Sequence, residues 1–190
     1  MPRSRSPISF SPKKLSADLK PIVRRAVAED AAALALVASA TLLDAFAGIL
    51  SGRDIVAHCA ANNTPAKFAA WLDDPSSVVT LAEAVCGAAP VGYSVLTTPD
   101  LPVETDADDI ELRRIYMLSR LHGSGLGADL MQRALADARA LGKARVLLGV
   151  YGDNRRARAF YERQGFTLAG TRRFLVGETW HDDVIYARAL

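Results

Sequence analysis

Residues 118–131 read LSRLHGSGLGADLM, and the fold turns on them. An apolar, strand-like run stops at Leu118, glycines follow at 123, 125 and 127, and an amphipathic helical period begins at once. Glycine lets a backbone adopt positive φ and approach a ligand closely. A helix starting behind such a loop aims its unpaired N–H groups and the positive end of its dipole at the same point. A strand–glycine loop–helix unit of this kind is a cradle for a phosphate or pyrophosphate.

Working outward, three phosphate-loop patterns compete. A P-loop needs Lys and then Ser or Thr after its last glycine, and neither follows Gly127. The dinucleotide fingerprint GxGxxG/A is met literally by Gly123-Ser124-Gly125-Leu126-Gly127-Ala128. That fold also wants an acid at the end of the next strand and further βα units behind it. Asp153 stands a little late for the acid, and too little chain follows it for a doubly wound domain. The third pattern is (Q/R)xxGx(G/A), the loop that takes the pyrophosphate of coenzyme A, with His122 here in the Gln/Arg position.

Residues 150–166, VYGDNRRARAFYERQGF, select the third. Val150, Asn154, Ala157, Phe160, Tyr161, Gly165 and Phe166 fall in register with V-x-x-x-N-x-x-A-x-x-F-Y-x-x-x-G-F. This resembles the closing half of the GNAT superfamily of N-acetyltransferases. More loosely the likeness runs over 21–190, with Ile-Val-Arg-Arg-Ala at 22–26 and Ala-Pro-Val-Gly-Tyr at 89–93. The resemblance implies an α/β fold in a single domain: a mixed, mostly antiparallel sheet, with a splayed central parallel strand pair flanked by helices.

It also implies acetyl-CoA as acyl donor and an amine acceptor, either a small molecule or a peptide N-terminus. The main chain of His122, Gly123, Ser124, Gly125, Leu126, Gly127 and Ala128 would then hold the pyrophosphate. Met117 and Leu118 would offer backbone groups to the pantetheine arm, and Asn154 a hydrogen bond to it. Tyr161 resembles the family tyrosine that protonates the departing thiolate; Glu111 stands where some members carry the base that deprotonates the amine. Each has a plainer alternative. Tyr161 could simply pack beside Phe160, Asn154 could be a helix-entry residue, and Glu111 could face solvent while water acts as base. A non-catalytic acyl-CoA sensor keeping the same loop is the alternative for the whole chain, and the family allows a homodimer.

Composition limits the other classes. Half of the 190 residues are hydrophobic, enough for one domain with a real core. No apolar run approaches the ~18 residues of a membrane span. Residues 1–20 lack the apolar stretch of a secretory signal and carry Arg3, Arg5, Lys13, Lys14 and Lys20 against Asp18 alone. This segment reads as a disordered basic leader, with the acetyltransferase domain at 21–190. The whole chain is only +2, so the remainder is slightly acidic and no nucleic-acid partner is expected. Cys59, Cys86 and the three histidines show no metal-ligand spacing, so no metal is expected. Without a signal or a membrane span the expected location is the cytoplasm.

Periodicity predicts strands near 21–27, 77–84, 89–97, 110–118, 145–151, 166–176 and 179–188. Helices are predicted over 29–47, 65–73, 125–141 and 154–164, the last capped by Asp153. Residues 48–64 show no clear period. Two acidic groups stand out: Asp100, Glu104, Asp106, Asp108, Asp109 and Glu111, then Glu178, Asp182 and Asp183. They read either as solvated loops or as walls that concentrate a polyamine-like acceptor.

Overall fold

The computed structural model describes residues 20–176 and 179–190. A seven-stranded sheet runs in the order β1 (Ile22–Arg25), β2 (Val78–Glu83), β3 (Pro90–Thr97), β4 (Asp109–Met117), β5 (Arg145–Tyr151), β7 (Thr179–Ala189), β6 (Thr167–Val176). Only β4 and β5 pair in parallel, across the connecting helix α4 (Leu126–Ala140). On one face α4 lays Met131, Ala134, Leu135 and Ala138 against Ile110, Leu112, Val146 and Leu148. On the other, α1 (Ala31–Phe46) and α3 (Pro65–Asp73) pack Leu34, Val37, Ala38 and Phe68 on Val79, Leu81 and Val95. Each fully buried Leu or Phe contributes about 1.5–3 kcal/mol, so the two cores clamp the sheet from both sides. Among the described residues no helix is long and apolar enough to cross a membrane.

Helix starts follow their capping chemistry. Thr64 Oγ1 accepts the Lys67 N–H at 3.2 Å, with Pro65 in the first turn, where it needs no donor. A further helix, α2 (Gly52–Asn62), occupies the stretch that shows no period in the sequence. Its start was legible as Ser51-x-x-Asp54: Ser51 Oγ accepts the Asp54 N–H at 3.1 Å and donates to its carboxylate at 2.8 Å. Only Ile55 of α2 is buried, so no apolar stripe announces the helix.

The parallel ladder is short. Asp109 pairs with Arg145, Ile110 with Val146 and Glu111 with Leu147, and there it stops. Immediately beyond, β4 bulges: Leu112 faces Leu96 and Arg114 faces Val95, which leaves Arg113 as an extra residue. A bulge bends its strand and increases the local twist. From that point β4 follows β3 to the Met117–Gly92 pair, while β5 follows β7 to Tyr151–Asp183, and the two part.

The closed end of this split is fastened by its own first pair. Asp109, 2% exposed, accepts Arg145 Nε at 2.7 Å and a terminal guanidinium N–H at 2.6 Å. These hydrogen bonds hold the Asp109 carboxyl below its usual range, against the opposing effect of burial. A depressed carboxyl stabilises the fold above its unfolded pKa and loses that contribution as pH falls through the folded value. Arg145→Ala should therefore cost about 2 kcal/mol at neutral pH, a buried-pair loss discounted for the half-exposed arginine. The deficit, followed by urea unfolding across pH, should shrink on acidification. A deficit independent of pH would mean that the pair does not fasten the ladder.

Candidate active site

The mouth of the split is built by three segments. Leu118 is still tied to β3, its N–H donating to the Val91 carbonyl at 3.0 Å. The chain then makes a tight turn, Ser119–Leu121, stapled to the end of α1. Asp44 accepts the Ser119 N–H at 2.6 Å and its hydroxyl at 3.0 Å, and these donors keep its carboxyl low. Gly123 and Gly125 follow at φ of +85° and +90°, a region open to glycine and strained for other residues.

At the start of α4 the Leu126 N–H takes Ser124 Oγ at 3.3 Å, and the Asp129 N–H takes the Gly125 carbonyl at 3.1 Å. The N–H groups of Gly127 and Ala128 between them have no acceptor among the described residues, as expected of a first helical turn. They form an anion cradle. Gly127 has a second reason to be glycine: a Cβ there would lie 2.6 Å from Met117 Cε and 3.8 Å from the Phe160 ring. Strand end, helix start and α5 (Arg155–Arg163) thus meet at one backbone atom. The Leu126 side chain points away from the cradle, buried with Leu121 and Leu130. His122 is exposed, and partial desolvation together with nearby Arg156 lowers its pKa.

The third segment carries Asn154 and Tyr161. The cap of α5 is Asn154, whose Oδ1 accepts the Ala157 N–H at 3.0 Å. Asp153, the cap expected from sequence, instead accepts the Tyr151 hydroxyl at 3.1 Å. About two helical turns separate Asn154 from Tyr161, so both face one side. The Tyr161 ring is buried among Phe160, Phe166 and Tyr186 and packs in one cluster with Ile115 of β4 and Val184 of β7. Its hydroxyl has no hydrogen bond among the described residues, and burial pushes the phenol up, with a smaller push from Tyr116.

Glu111 is not brought to this group. It is buried at the last parallel pair, its Oε2 accepting the Asp100 N–H and an Arg113 N–H, each at 2.9 Å. Six strand residues, about 20 Å, separate it from Met117. Of the acidic segment only Asp109 and Glu111 are buried: Asp109 holds Arg145, and Glu111 at 2.9 Å and the exposed Asp100 at 3.6 Å flank Arg113, while Glu104, Asp106 and Asp108 are exposed. In the second acidic group Asp183 pairs with Arg172 at 3.2 Å; Glu178 lies outside the described residues.

On the sheet face away from α4 the split opens between two hollows. One, about 400 Å3, is lined by Gly152, Arg172, Asp183 and Val184. Arg172 lies so close over β5 that a Cβ at Gly149 would sit 2.8 Å from it. The other is a cavity of about 30 Å3 beside Arg114 and Tyr116 on β4. Sequence reading missed these two residues. Strand alternation counted from Glu111 assigns 113, 115 and 117 to its face, but the extra residue at Arg113 shifts the phase to 114 and 116.

The profile of the Acetyltransferase (GNAT) family matches residues 42–166. An uncharacterised N-acetyltransferase of Mycobacterium tuberculosis H37Rv is 36% identical over 161 residues, covering 85% of this chain and 98% of that protein. Among solved structures, the PaiA N-acetyltransferase of Thermoplasma acidophilum in complex with coenzyme A superposes with a TM-score of 0.74 at 20% identity. The superposition covers 90% of this chain and all of that one. The ribosomal-protein-alanine N-acetyltransferase of Brucella melitensis gives a TM-score of 0.64 at 22% identity, over 89% and 99% of the two chains. The chain belongs to the GNAT family of acetyltransferases.

The cap assignment is open to direct test. Asn154→Ala should cost about 1 kcal/mol in unfolding free energy, whereas Asp153→Ala should cost a few tenths at most. Equal losses in urea titrations would show that Asn154 does not cap α5.

Proposed function

We propose that this enzyme transfers an acetyl group from acetyl-CoA to the primary amine of a small molecule or a peptide N-terminus within a ternary complex. The observation that carries the reading is the split itself, with unpaired main-chain N–H groups at its mouth and the Tyr161 ring buried in the apolar cluster that borders it. The cradle at Gly125, Gly127 and Ala128 suits a pyrophosphate: it offers N–H donors at a helix N-terminus and positive φ where the backbone must turn. PaiA of T. acidophilum, which shares the fold, was solved with coenzyme A, and this supports the choice of donor.

Acetyl-CoA supplies a thioester whose C–S bond breaks as the amine nitrogen forms the new C–N bond. Within the split, the free strand edge at Met117 would align the arm and polarise the acetyl oxygen, whereas Leu118 has its N–H engaged by the Val91 carbonyl and its own carbonyl by the Leu121 N–H. Asn154, its Oδ1 engaged by the Ala157 N–H, keeps the side-chain NH2 to donate to the arm. Tyr161, kept protonated by its apolar surroundings, holds a proton for the sulfur. The proton lost by the amine passes to water; the ion pair and remote position of Glu111 support water over that carboxylate as the base.

Two variants test the reading. Gly125→Asp puts a side chain at φ +90° and a negative charge in the cradle, and should weaken coenzyme A binding at least about 100-fold by calorimetry. Tyr161→Phe should lower kcat about 100-fold with little change in KM for acetyl-CoA, as for loss of a positioned acid. Undiminished binding in the first, in a folded protein, would remove the cradle. Wild-type turnover in the second would return Tyr161 to packing. Tight binding without thiol release for any amine would leave a sensor.

A further inference from the structure

Arg114 stands apart from the other half-buried arginines of the site. Arg113, Arg145 and Arg172 each face a carboxylate within 4 Å. Arg114 faces none among the described residues: its guanidinium donates to Asn63 Oδ1 at 2.7 Å and to the Asn62 carbonyl at 3.2 Å. Its flat faces meet aromatic rings, with Trp71 at 5.0 Å and Phe68 at 5.7 Å from the guanidinium carbon. These neutral partners fix the fork but do not cancel its charge, and a charge withdrawn from water is normally paired. Two of its five N–H donors are used in this way.

Beside it lies the small cavity, walled by Thr41, His58, Asn63, Tyr93, Arg114 and Tyr116. At about 30 Å3 it has room for a group the size of a carboxylate or two waters. No acidic side chain lines it. Thr41 Oγ1 is engaged with α1 carbonyls, at 2.8 Å from that of Val37. His58 is driven toward its neutral form by burial and by Arg114, so the wall keeps a single fixed positive charge. The cavity is also next to the chemistry. Tyr116 lines it and is adjacent to Met117 at the strand end.

We infer that the amine acceptor carries a carboxylate, which seats in this cavity against the Arg114 fork while the amine projects along β4 toward the split. The inference rests on the acetyl-transfer reading above and narrows it to amino acids and related amino-carboxylates. It also departs from the cationic acceptor suggested by the acidic segments, of which Asp109 and Glu111 are already paired with Arg145 and Arg113. A guanidinium binds a carboxylate through two parallel hydrogen bonds, so Arg and Lys should differ at this position.

The test uses wild-type protein and matched acceptors: glycine, β-alanine, 4-aminobutyrate, 6-aminohexanoate and lysine, each compared with its own carboxamide, with spermidine as the cationic control. Release of coenzyme A thiol is the readout. At least one free acid should exceed its amide about 10-fold or more in kcat/KM, the scale of a charge-assisted hydrogen bond. Arg114→Gln should bring that ratio near one through a higher KM for the acid, Arg114→Lys should fall between, and KM for acetyl-CoA should stay within about twofold. Acids and amides used equally by wild type, or spermidine preferred over every acid, would overturn the inference without any variant having to fold. No release with any acceptor would overturn it too; if coenzyme A then also failed to bind, the acetyl-transfer reading would fall with it.

Discussion

The parallel ladder between β4 and β5 has only three registered pairs, and the parting of the two strands begins where it stops. A buried aspartate and the arginine opposite it pin the closed end, and one extra residue at Arg113 ends the pairing. The strands then diverge because each has a better partner on its far side, β3 for β4 and β7 for β5. In a sheet interior such a parting would leave unpaired backbone groups, which are costly unless something satisfies them. A ligand arm lying in the split is a ready source of those hydrogen bonds.

The surroundings keep the split from collapsing. Tyr161, ringed by Phe160, Phe166 and Tyr186, belongs to the apolar cluster under α4 that Ile115 of β4 and Val184 of β7 border on either side of the gap. Gly127 lets α4 approach Met117 so closely that any side chain would displace the methionine, which places the helix N-terminus over the strand end. Asp44 ties the intervening turn back to α1 through two Ser119 hydrogen bonds. The neighbouring glycines therefore serve different ends. Gly123 and Gly125 supply backbone conformation, whereas Gly127 supplies room.

Much of this was legible in the sequence, and the failures have physical reasons. The runs 122–128 and 150–166 disclosed the cradle, the order of elements and the GNAT fold, because glycine spacing and helix-face spacing are local properties. The second helix was obscured because α2 buries one residue, although Ser51 and Asp54 marked its start. Asp153 and Asn154 are both good caps, and only the backbone shows that the second accepts the Ala157 N–H. The bulge at Arg113 leaves no trace in the letters ELRRIYM, so Arg114 and Tyr116 could not be assigned to the face that holds the small cavity. Within the acidic run Glu104, Asp106 and Asp108 are exposed, as solvated loops would be, whereas Asp109 and Glu111 are buried against Arg145 and Arg113, which the run by itself does not disclose.

The most direct test of the split as the donor site is amide hydrogen exchange with and without coenzyme A. Binding in the split predicts slower exchange at Met117 and residues 125–128, with the Asp109–Glu111 end of β4 unchanged. Protection confined to the hollow between β6 and β7, or no protection at the glycine loop under saturating ligand, would contradict it.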